Sequence, residues 1–98
     1  MNVTLYLPSV APLPLKEAEF TLSPTTDQIA HAATLLECAP ALVDVLASGP
    51  EYIIYTVFDS QGEINEPSMW VARNLTGAMF DLKDEDQVLR GPVLVVTA

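Results

Sequence analysis

Cationic side chains are scarce in this chain. Its 98 residues hold four Lys and Arg against thirteen Asp and Glu, a formal net charge of −9. From Glu17 to Ala72 there are nine carboxylates and no Lys or Arg at all. Such a surface repels phosphate instead of displacing its counterions, which argues against non-specific nucleic-acid binding. A lone cysteine, Cys38, excludes an internal disulfide. The glycines, at 49, 62, 77 and 91, are scattered and build no phosphate-binding loop. No apolar run approaches the roughly 18–20 residues of a membrane span. The apolar stretch from Met1 to Leu15 has no basic leader and is broken by Pro8, Pro12 and Pro14, so a secretory signal is not expected. A cytoplasmic protein, in a bacterial host, is the expectation.

Half of the residues are hydrophobic and 17% are charged, a balance that folds. The length suits one domain, residues 1–98. In residues 2–7, Val3, Leu5 and Leu7 alternate with Asn2, Thr4 and Tyr6, a strand pattern closed by Pro8. The Pro-rich segment that follows suits an edge, and Glu19 to Leu22 is a candidate short strand. Residues 51–58, EYIIYTVF, are β-branched and aromatic on both faces, as an interior strand requires. Pro92 to Thr97 has the same character, fitting an interior strand or an edge covered by a partner. Between 59 and 62 a turn is expected, with Gly62 free to take positive φ.

Two segments read as helical. Ile29, Ala32, Ala33, Leu36, Ala39, Val43 and Leu46 recur at helical spacing, with Thr25 or Thr26 as N-cap and Gly49-Pro50 as a stop. That predicts a helix over 25–48, kinked or broken into two helices near Cys38 and Ala39 because Pro40 lacks an N–H and clashes one turn back. The segment from Asn65 opens like a helix with Glu66-Pro67 and runs to about Thr76, although Met69-Trp70-Val71 would also suit a strand. A brief extended piece and a possible single turn at 83–87 follow. The predicted fold is α+β: a mixed or antiparallel sheet of about four strands (2–7, 51–58, 92–97 and a less defined one) on a kinked helix.

The run from Ala33 to Leu46, ATLLECAPALVDVL, resembles a helix of many small phage and prophage proteins. In those, an Ala-rich helix leads through Ala-Pro into a second, Leu-containing helix. Cys38 and Val43 depart from that pattern, which more often has Ala and Leu. The resemblance covers fourteen of the 98 residues. It implies a mobile element of a bacterium as origin, and no activity.

Candidate chemistry is thin. His31 has Asp27 one turn before it, a spacing worth a few tenths of a kcal/mol on an exposed helix, and a structural role is favoured. Cys38 has Glu37 beside it and no cation nearby in sequence, the opposite of what stabilises a thiolate. Glu63 with Glu66, or Asp84 with Asp86, lack the ligand number and glycine of a calcium loop. Catalytic, cofactor and metal sites are therefore not expected. The expected role is contact: an acidic inhibitor that binds a basic surface of a host or defence macromolecule, in the manner of anti-CRISPR proteins and DNA mimics. Asp59, Glu63, Glu66, Asp84, Glu85 and Asp86 are the candidate contacts, with Trp70 as an aromatic anchor. An immunity protein or antitoxin would be acidic for the same reason. A virion structural or assembly protein, or a homo-oligomer such as a homodimer that uses Pro92 to Thr97 as an edge, is a further alternative.

Overall fold

The computed structural model describes residues 1–16, 19–77 and 88–98. Its elements are β1 (Asn2–Tyr6), β2 (Leu13–Pro14), α1 (Thr26–Leu36), a 3-10 turn (Pro40–Leu42), β3 (Val43–Ser48), β4 (Tyr52–Val57), α2 (Glu66–Thr76) and β5 (Val93–Thr97). The five strands form one sheet in the order β2-β1-β5-β4-β3, and each neighbouring pair is antiparallel. The last strand thus enters the middle, joining the β1–β2 pair to the β3–β4 hairpin. Val93, Leu94, Val95 and Val96 are all buried, which explains why β5 is apolar on both faces. Pro92 to Thr97 is therefore the interior strand that its pattern allowed, and the alternative of an edge open to a homo-oligomer is corrected on that ground.

Alternation along each strand divides the core by face. Val3, Ile53, Tyr55, Leu94 and Val96 pack with Phe20, Ala32 and Leu36, on the side of α1. Ile54, Val93 and Val95 pack with Leu89 and with Met69 and Ala72 of α2. The sheet therefore lies between two helices. The expected single helix partner is one of two.

The long kinked helix over 25–48 does not form. Thr25 accepts from the Gln28 N–H (3.3 Å) to start α1. The helix stops at Leu36, where Glu37 turns into the left-handed region (φ 57°) and Cys38 N–H donates back to Ala33 O (3.0 Å). Ala39 is extended, as a residue before proline prefers, and Pro40 opens the 3-10 turn. Beyond it the period changes from helical to two: Val43, Val45 and Ala47 are half-buried, while Asp44, Leu46 and Ser48 are exposed. The second helix implied by the phage-like resemblance is accordingly a strand.

Two smaller expectations are corrected. Glu19 to Leu22 is not a strand; Phe20 is buried in the α1-side core instead. The pairing falls earlier, at Leu13–Pro14, continued by Leu15 N–H to Val3 O (2.8 Å). Pro12 and Pro14 have no N–H to donate, which keeps β2 short and at the edge. In the 59–62 turn, positive φ falls on Asp59 (φ 52°), not Gly62. Gly62 is needed for closeness: a Cβ there would lie 2.9 Å from the Gly91 Cα.

Candidate functional site

One buried polar group organises the connection into α2 where candidate contacts lie. Asn65 caps α2, its Oδ1 accepting from Ser68 N–H (3.4 Å). Its Nδ2 donates to Tyr6 O at the end of β1 (2.9 Å) and to Gly91 O ahead of β5 (2.7 Å). Its N–H donates to Leu89 O (2.7 Å), and its carbonyl accepts from the Ser68 hydroxyl (2.8 Å). Asn65 and Ser68 are fully buried, so this network substitutes for water. It fixes the start of α2 against the central strands. The 59–66 connection is held from the other side by Gly91 N–H to Glu63 O (2.9 Å) and Arg90 Nη1 to Gly62 O (3.3 Å).

The expected contacts Asp59, Glu63 and Glu66 all lie on this connection or the first turn of α2, and all are exposed. Glu63 accepts from the Ser9 hydroxyl (3.2 Å). Glu66 sits in the first turn of α2, where the helix dipole favours a carboxylate. Trp70, one turn further along, is 56% exposed, while Ser68, Met69 and Ala72 turn inward. The Arg73 guanidinium lies 5.7 Å from its ring centroid, a cation–π contact. Asp84, Glu85 and Asp86 lie outside the described residues, as does the expected single turn at 83–87.

Sequence reasoning missed two members of this surface. Asp44 on β3 and Phe58 after β4 border an open concavity of about 750 Å³ together with Thr56, Asp59, Gln61 and Arg90. Phe58 is 63% exposed. Asp44 escaped notice because it was placed inside a helix. The signal that finds it is the alternation of Val43, Asp44 and Val45 immediately after Pro40.

His31 and Cys38 have structural surroundings. The His31 ring stacks on Phe20 (4.5 Å between centroids, 12° between planes), and Phe20 in turn contacts Tyr55 (6.2 Å, tilted). Cys38 is half-buried against the α1-side core, and desolvation pushes its thiol up, away from a reactive thiolate. Burial likewise raises the phenols of Tyr6 and Tyr55. Among the described residues, no group of three or more His, Cys, Asp and Glu is placed to hold a metal ion. None of their helices is long and apolar enough to cross a membrane.

No protein-family model matches the chain, and comparisons with curated proteins and with solved structures found no match.

Proposed function

We propose that the protein works by contact, binding a basic surface of another macromolecule through the rim formed by Asp59, Glu63, Glu66 and Trp70. The observation that carries this reading is the exposure of Asp59, Glu63 and Glu66 along the connection into α2, with the exposed Trp70 one helical turn beyond Glu66. The division of labour follows from physics. The carboxylates raise the association rate and select basic partners, while the indole supplies affinity once desolvated. Asp84, Glu85 and Asp86 belong to the same proposal by charge. An inhibitor of the anti-CRISPR or DNA-mimic kind, encoded by a phage, is the specific form proposed; it rests on size, acidity and the resemblance at Ala33 to Leu46.

The test begins with affinity capture from a bacterial lysate at low and high salt, read by mass spectrometry. Each captured protein is then purified and titrated with wild type, Trp70→Ala and a variant with the six carboxylates neutralised to amides. Trp70→Ala is expected to weaken binding by about 2 kcal/mol or more, roughly 30-fold. The neutralised variant is expected to lose association rate first. Full binding by the neutralised variant would sink the proposal.

A further inference from the structure

The outer edge of β3 offers a site of its own. Phe58 N–H donates to Leu42 O (2.7 Å), which makes that pair a hydrogen-bonded one. Such pairs alternate along an antiparallel ladder. Asp44 opposite Thr56 is therefore the next bonded pair, and Val45 opposite Tyr55 is a pair whose backbone groups point away from each other. Both polar groups of Val45 and the carbonyl of Val43 thus face out from the sheet; the Val43 N–H is taken by Pro40 O. No described strand lies beyond β3. Leu46 is the extra residue of a bulge between Val45 and Ala47, which confines the regular edge to the residues before it.

The two sides of this edge differ in chemistry. Val43 and Val45 belong to the α1-side apolar cluster and are only half-buried. Asp44 is exposed on the opposite side, bordering the concavity shared with Phe58 and Asp59. We infer that the β3 edge docks an extended segment of a basic protein partner, which adds to the sheet as a further strand. The inference rests on the acidic-contact reading and deepens it. Neighbouring side chains on adjacent strands share a face, so the register specifies the occupant. Its apolar residues lie beside Val43 and Val45. Its Lys or Arg lies beside Asp44, over the Phe58 ring and toward the Asp59 carboxylate. A second copy of this chain fits poorly, because pairing two β3 edges brings their Asp44 carboxylates near each other between bodies of net charge −9.

The probes are short capped peptides of alternating Val and Lys, with Val–Glu and Ser–Lys counterparts, titrated at low salt by NMR. The Val–Lys peptide is expected to bind and to slow amide exchange at Val45, and the two counterparts to bind at least about 10-fold more weakly. Asp44→Lys should weaken it at least as much. Val45→Pro removes only an outward N–H, the place where an edge strand tolerates proline, and should abolish binding. Should that variant fold poorly, exchange at Val45 in the wild-type chain carries the same information. If Val45→Pro binds normally and Val45 exchange is unmoved while Asp44→Lys and Asp59→Asn still lose the peptide, strand addition is overturned and the acidic-contact reading survives. If the Val–Glu peptide binds equally, or the Val–Lys peptide does not bind, the inference is overturned; equal Val–Glu binding overturns the acidic reading as well. A wild-type dimer that Val45→Pro dissociates would put a second copy on the edge and overturn the proposed occupant.

Discussion

Replacing Asn65 by alanine should be the most damaging single polar change among the residues described. The side chain makes three hydrogen bonds: two donated to Tyr6 O and Gly91 O, one accepted from Ser68 N–H. Each buried partner left without its bond costs about 1–3 kcal/mol, and loss of a helix cap about 1 kcal/mol. The sum is roughly 3–7 kcal/mol, a large part of the ~5–15 kcal/mol that holds a domain of this size. The melting temperature should fall by about 12 °C or more. Urea unfolding followed by far-UV circular dichroism is the assay, since Trp70 is already 56% exposed and its fluorescence reports folding weakly. A second variant separates cap from clamp. Aspartate caps a helix as well as asparagine does and suits the dipole, so if capping were the whole role Asn65→Asp would stay within about 0.5 kcal/mol of wild type. A carboxylate cannot donate to two carbonyls, so the clamp requires Asn65→Asp to be at least as unstable as Asn65→Ala. A loss below about 1 kcal/mol for alanine, or a near-native aspartate variant, would refute the reasoning.

Two further predictions concern strain and burial. Glu37→Gly should stabilise by about 0.5–1 kcal/mol and Glu37→Ala should not, because only glycine relieves the left-handed turn at φ 57°; equal midpoints in urea would count against this. The Tyr55 hydroxyl is buried with no hydrogen-bond partner among the described residues, so Tyr55→Phe should leave stability unchanged or raise it by up to about 2 kcal/mol. Burial raises the Tyr6 and Tyr55 phenols, so the folded state holds these protons more tightly than the unfolded one. Their contribution is complete below the ordinary tyrosine value of about 10 and is lost as pH climbs through the raised values. Unfolding midpoints taken across that alkaline range should fall less steeply for Tyr55→Phe than for wild type.

Much of this fold is legible in the residues. β1, β4 and β5 follow from β-branched and aromatic runs whose face pattern survives any context, and α2 follows from Asn65, Pro67 and the stop at Gly77. β3 is not, because Val43 and Leu46 continue the helical spacing of Ile29, Ala32 and Leu36 by coincidence of period. Pro40 marks the break, but spacing alone does not say whether a helix resumes after it. The edge residue Asp44 is lost with β3, while Phe58 follows β4 at the end of the legible 51–58 run, whose pattern does not show that its ring is exposed. Asn65 is readable as a cap; its clamp on Tyr6 and Gly91 depends on partners 59 and 26 residues away, which no local pattern encodes. Asp59, Glu63 and Glu66 were recognisable from charge alone, and their exposure along the connection into α2 required the fold.

The most direct test of the contact account is the salt dependence of association with a purified captured partner, measured for wild type and for the carboxylate-neutralised variant. Screening acts within about 10 Å at 0.1 M salt, so the wild-type association rate should drop by 10-fold or more between low and high salt. The neutralised variant should start slow and change little. Wild-type association that ignores salt, or a neutralised variant that binds as fast as wild type, would contradict the account.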